Sequence, residues 1–279
     1  NQNFGPEITS TTMIGTINSL MPSLIIGAFT GVLGFILSDP EVTKIERDRL
    51  IVIIVFTLFT IFFWWAFEQA GGSMTVFAGD YTERNLVGGQ AMTFKIVNSV
   101  LTCGAMAVIS WVLVKLFRIT FSEISLSNIL LASAFILIWG AVIWMLKREF
   151  SSDTTEVPAS WFGILNSFFI IVFASAFSKF WDMKIITAGP LKFALGLLLV
   201  GLGFAFLAYG SNGIPQGAKT ASVSMMWLVF AYLFHSLGEL CLSPVGLSYV
   251  SKLAPLRLVG VMFGVWFIAN FAANWAGGF

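Results

Sequence analysis

The stretch Phe62-Phe63-Trp64-Trp65-Ala66-Phe67-Glu68-Gln69-Ala70-Gly71-Gly72-Ser73 sets five aromatic rings and a single carboxylate within twelve residues. It lies inside a longer apolar run, Leu50 to Ala78, bounded by Arg49 and Asp80. A hydrocarbon core about 30 Å thick is crossed by about 20 apolar residues in a helix, so the run reads as a membrane span. The whole chain agrees: 57% of its 279 residues are hydrophobic and 10% charged, where soluble domains carry about 25% charge. A single soluble core cannot absorb that much apolar surface at this length. A net charge of +1, with the 15 Lys and Arg scattered along the chain, also excludes a disordered segment or a nucleic-acid-binding face.

Seven further stretches reach spanning length, making eight: Met13 to Leu37, Ala91 to Phe117, Leu126 to Leu146, Ser160 to Trp181, Leu191 to Tyr209, Val223 to Leu242 and Leu256 to Ala276. Turn formers mixed with charge separate them, at Ser38-Asp39-Pro40-Glu41, Gly79-Asp80-Tyr81-Thr82, Ser151-Ser152-Asp153, Gly210-Ser211-Asn212-Gly213 and Ala254-Pro255. The expected fold is an all-α, polytopic transmembrane helical bundle. Alternating the loops places Lys44, Arg47, Arg49, Lys115, Arg118, Lys179, Lys184, Lys192, Lys252 and Arg257 on one side, against Arg84, Lys95, Lys147, Arg148 and Lys219 on the other. Basic residues are retained in the cytoplasm, so Asp80 is expected outside and Pro255 inside. The start at Asn1 and the apolar end at Ala276-Gly277-Gly278-Phe279 suggest a piece of a longer polypeptide, and residues 1–11 lack the basic segment of a signal peptide. Cys103 and Cys241 both lie in apolar runs, as small hydrophobes do, with no metal or disulfide spacing.

Ionisable residues inside spans are expensive and mark function by default. Helical rise puts Glu68 about 18 Å from Asp80, near mid-membrane, where a carboxylate needs either a cation or a proton to balance it. Trp64 lies one turn earlier on the same face, and Gly71-Gly72 weakens the helix just beyond. Glu239 is the second such acid, in His235-Ser236-Leu237-Gly238-Glu239-Leu240-Cys241-Leu242-Ser243-Pro244. Pro244 is expected to kink that segment. His235, four residues before Glu239, is either a proton-relay partner or a structural histidine. Asn166 and the series Trp266, Asn270, Asn274 fall near the midplane too, and an interior of Trp, Asn and Glu suits a small zwitterionic or amide-bearing solute. Each Asn serves equally as an interhelical hydrogen bond. No hydrolase, metalloenzyme or phosphate-loop motif is present. No cofactor is therefore expected, and uphill movement of solute would draw on an ion gradient, with protons the economical choice for two buried carboxylates.

Two of these stretches resemble a known family. Phe63-Trp64-x-x-Phe67-Glu68-Gln69-x-Gly71 is similar to the seventh-helix signature of the proton-dependent oligopeptide transporters of the major facilitator superfamily. Gly238-Glu239-Leu240-Cys241-Leu242-Ser243-Pro244-Val245-Gly246-Leu247-Ser248, followed by Lys252-Leu253-Ala254-Pro255, is similar to the tenth. The resemblance implies the carboxyl-terminal half of an inner-membrane, multi-pass symporter that imports di- and tripeptides with protons. Residues 1–49 would be an extra interdomain helix and cytoplasmic linker, and 50–279 a six-helix bundle lacking its last helix. By the same resemblance Glu68 and Glu239 would couple protons, Asp80 would belong to the outer gate, and Trp64, Glu68, Asn166, Trp266 and Asn270 would bind substrate. The partners implied are small peptides, the lipid bilayer and the amino-terminal half of the same protein, with no nucleic acid. Three features depart from the family pattern: residues from about 91 to 148 read as an added helical hairpin, Asn166 is followed by Ser167 rather than Pro, and the amino-terminal half and the twelfth helix are not in the sequence. A carrier of another small solute such as nitrate, or a non-transporting sensor or assembly subunit, would share the same spans.

Overall fold

In chain order the helices are α1 (Met13–Ser38), α2 (Lys44–Phe67), α3 (Ser73–Asp80), α4 (Gly88–Thr120), α5 (Ser125–Phe150), α6 (Trp161–Asp182), α7 (Gly189–Gly210), α8 (Met226–Leu253) and α9 (Val259–Gly277). The computed structural model describes residues 13–183 and 185–278. Lys184, counted above among the basic residues of one side, and the two chain ends lie outside the described residues. Eight spans long and apolar enough to cross a membrane occur among the described residues, α2 and α3 together making one of them.

The chain forms two compact units. One runs up to Thr82 and resumes at Ala159; the other is Glu83–Pro158. In the first, α8 is the central element and packs against α2, α6, α7 and α9, while α2 also lies along α9. α2 starts with a reciprocal cap: Glu46 N–H donates to Thr43 Oγ1 at 3.3 Å and Thr43 N–H donates to Glu46 Oε2 at 2.9 Å. Its buried Thr57 and Thr60 return their hydroxyls to the carbonyls of Ile53 and Phe56, at 2.8 and 2.9 Å, so they add no unmet polar group to the core.

Lipid is as apolar as a protein core, so close helix contact in a membrane comes from small residues rather than from an apolar stripe. α7 carries glycine at 189, 196, 203 and 210, every seventh residue, and all four face α8. A Cβ on Gly196 would lie 2.9 Å from Gly238 O, and one on Gly203 2.7 Å from His235 Cδ2. Tyr249 and Trp227 occupy the corresponding space at Gly189 and Gly210. The relation is mutual, since a Cβ on Gly238 would lie 2.8 Å from Gly196 O. Away from this stripe Gly201 has nothing within 4 Å, and Ile171 and Leu198 face outward as a lipid-contacting surface.

Two span boundaries differ from expectation. The span read as Leu50 to Ala78 is interrupted: α2 ends at Phe67, a 3₁₀ turn covers Glu68–Ala70, and Gly72 takes φ −108°, ψ −106° before α3 begins. The 18 Å depth assigned to Glu68 from an unbroken helix is corrected accordingly, because the carboxylate sits at the interruption itself. The span read as ending at Leu242 instead continues through Pro244 to Leu253 as one helix. Proline removes one helical donor there, a loss that transmembrane helices accommodate locally.

In the second unit, α4 and α5 are joined by the turn at 121–124. The strands Asn85–Val87 and Thr154–Glu156 pair antiparallel, with Leu86 opposite Thr155. Arg84 closes that end, its Nη2 2.7 Å from Glu156 Oε1 and its Nη1 donating to Val157 O at 2.7 Å. Buried Lys95 donates to the Ser152 carbonyl, Asn98 to Glu149 Oε2 at 3.3 Å and Trp139 Nε1 to Ser110 Oγ at 3.0 Å. The unit is thus larger at both ends than residues 91–148.

Candidate functional site

Glu239 lies midway along α8, half-buried. Asn166 on α6 donates from Nδ2 to its Oε2 at 3.2 Å. Asn166 is itself fixed by α8, since the Ser236 hydroxyl donates to Asn166 Oδ1 at 2.6 Å. Ser236 stands one turn before Glu239, so both reach the same amide of the facing helix. The result is a short polar chain, Ser236 to Asn166 to Glu239, between two apolar helices.

The interruption of α2 comes next to this chain. Breaking a helix frees carbonyls that must find other donors, and Ala70 O accepts from Thr75 Oγ1 at 2.8 Å and from the Tyr232 hydroxyl of α8 at 3.1 Å. Gln69 Nε2 donates to Gly277 O at the end of α9 at 3.3 Å, and its Oε1 accepts from Ser73 at 2.8 Å. The break is therefore a fastened structure, tied to α8 and α9. A cavity of about 360 Å³ opens between it, α6 and α8, lined by Phe67, Thr75, Ser160, Asn166, Tyr232 and His235 among others.

Glu68 begins the 3₁₀ turn and is exposed on the surface of the chain, not enclosed among its helices. Among the described residues neither Glu68 nor Glu239 has an ion-pair partner. Trp64 is half-buried against Phe63 and Phe67, with ring centroids 5.4 and 5.2 Å away, and its Nε1 is buried without a hydrogen-bond partner. Asp80 closes α3, exposed, with its carbonyl accepting from Ala221 N–H at 3.1 Å.

The His235–Glu239 relay does not form. His235 is 1% exposed and turns toward α7, over Gly203 and 4.8 Å from the Phe204 ring centroid, whereas Glu239 turns toward α6. Helical register gives the pair a common face, but each follows a different neighbour. The Trp266, Asn270, Asn274 series likewise does not present one surface. Trp266 is 3% exposed and fills the notch over Gly246, where a Cβ would lie 2.2 Å from its Cη2. Asn274 is exposed and donates back to Asn270 O at 2.9 Å. Only Asn270 Oδ1 remains, a buried acceptor with no partner. Tyr232, Ser236 and Thr75 were not singled out in the sequence, although the first two share the Glu239 face at helical spacing.

A family model described as the POT family matches residues 132–279. The chain belongs to the POT family. The "Peptide transporter YePEPT" of Yersinia enterocolitica is 28% identical over 266 residues, which cover 94% of this chain and 39% of that protein. "Dipeptide and tripeptide permease A" of Escherichia coli is 38% identical over 123 residues, covering 41% of this chain and 23% of the permease. Among solved structures, a peptide transporter POT in complex with alafosfalin superposes with a TM-score of 0.64 at 24% identity, over 95% of this chain and 41% of that one. At that identity the likeness is one of fold. The chain thus has the fold of POT family transporters and is a multi-pass membrane protein. It spans about two fifths of the length of YePEPT.

Proposed function

We propose that this chain is the carboxyl-terminal part of an inner-membrane symporter that imports di- and tripeptides with protons by alternating access. The observation that carries the reading is a pair of intramembrane acids, Glu68 at the interruption of α2 and Glu239 midway along α8. Glu239 is held by Asn166, itself fixed by Ser236, in a polar chain, Glu68 opens the 3₁₀ turn, and each is the single carboxylate of its apolar run, Leu50 to Ala78 and Val223 to Leu242. In such a carrier two halves rock about a midplane site, and Glu68 and Glu239 would meet cationic groups of the amino-terminal half in one state and protons in the other. The unpartnered Trp64 Nε1 and Asn270 Oδ1, with the Asn166 amide, supply a donor and acceptors of the kind a peptide backbone requires. Asp80, at the outer end of α3, would close the site against the far half. The peptide substrates named for the relatives above support the solute class.

The test is transport by the purified full-length protein in proteoliposomes. Glu239→Gln is expected to retain counterflow of dialanine while abolishing accumulation driven by an imposed proton gradient. Accumulation equal to wild type in that variant would overturn the coupling role. Failure of dialanine to compete where nitrate or another small solute does would overturn the peptide class.

A further inference from the structure

Where α6 ends, α7 begins and α8 ends, the first unit holds a pocket of about 470 Å³, lined on α8 by residues that follow Glu239, from Pro244 to Leu253. Its lining includes Lys192, Lys252, Trp181, Tyr249, Ser248 and Thr187, and contains no carboxylate. Lys192 is half-buried, with Nζ 4.4 Å from the centroid of the Trp181 ring. Lys252 stands exposed in the last turn of α8. Neither lysine has an ion-pair partner among the described residues. Tyr249 lies against Gly189 at the start of α7, where any side chain would overlap its ring, so the phenol is held beside the first turn of that helix. Two cations, three hydroxyls and a helix start thus converge on one concavity at the ends of three spans. The ends of spans lie at headgroup depth, Trp and Tyr are at home there, and basic pockets between spans on the cytoplasmic side accept anionic headgroups.

We propose that this pocket is a binding site for a phosphate-bearing anion at the membrane surface, with the two lysines supplying charge and Ser248, Tyr249 and Thr187 supplying donors. The anion is either a phospholipid headgroup or free phosphate, and the two sources separate by experiment. The purified protein in nanodiscs of phosphatidylcholine doped with phosphatidylglycerol is stripped and weighed by native mass spectrometry. Retention of phosphatidylglycerol is expected to weaken about fivefold in Lys252→Gln and about 30-fold in Lys192→Gln/Lys252→Gln, while Lys252→Arg retains it. Calorimetric titration of inorganic phosphate into lipid-free, detergent-solubilised protein is the second arm: a signal lost in the double variant, without selective lipid retention, assigns the site to free phosphate. If Lys252→Gln, exposed and structurally neutral, and the double variant both match wild type in the two arms, the proposal is overturned.

Discussion

The amide of Asn166 on α6 donates to the carboxylate of Glu239 on α8 across 3.2 Å, joining residues 73 positions apart. A hydrogen bond to a charged group contributes about 1.5–3 kcal/mol, and here it also fixes where the carboxylate points. Asn166→Asp sets a second acid at that position. Proton-driven accumulation of dialanine in proteoliposomes is expected to fall more than about tenfold, with Asn166→Ala milder because it removes the donor without adding charge. Equal activity of the Asp variant and wild type would show that Asn166 does not position Glu239.

The α7–α8 contact predicts a sharp contrast between glycines of one helix. Gly196→Ala drives a methyl against Gly238 O at 2.9 Å and Leu242 Cβ at 3.0 Å, overpacking that costs about 1–3 kcal/mol. Gly201→Ala has open space and should gain up to about 1 kcal/mol of helix propensity. Thermal unfolding in detergent should therefore lower the midpoint for the first and hold or raise it for the second.

The spans and the weakness at Gly71-Gly72 were legible in the sequence because hydropathy length and glycine flexibility are local properties. The facing of the helices was not. Inside lipid an apolar residue is equally content against protein or acyl chain, so periodicity does not say which side of α6 or α9 is inward, nor that Trp266 packs into the notch over Gly246. The signal that carries facing information is the recurrence of glycine at 189, 196, 203 and 210. Glu239's partner was equally out of reach, because no local rule links Asn166 to a residue two helices further on.

Tyr232 and Thr75 share a single acceptor, the Ala70 carbonyl. Tyr232→Phe or Thr75→Ala alone should cost about 0.5–1.5 kcal/mol, because the other donor remains. The double variant leaves the carbonyl orphaned and should cost more than the sum. Hydrogen exchange of the amides over 68–75, together with the unfolding midpoint, reads out the coupling, and strict additivity would argue against a shared role.

Arg257, in the turn before α9, bridges Asp39 at 3.0 Å and Glu41 at 2.7 Å, clamping the segment that joins α1 to α2. The pairs are exposed, so Arg257→Gln should cost at most about 1 kcal/mol in stability. Proteolysis within 38–43 should nonetheless accelerate. In wild type the protection should fade as salt rises past the range where the Debye length drops below about 8 Å, whereas the variant should be indifferent to salt.

Backbone lies almost directly on backbone where Gly196 meets Gly238, so at the middle of the α7–α8 contact no side chain stands between the helices to change rotamer. The two helices are in effect a single plank. A bend in this unit falls more easily where the helical ladder is already broken, in the fastened gap between Phe67 and Ser73. The stiffness of one helix contact thereby leaves compliance to another part of the unit, beside Glu68.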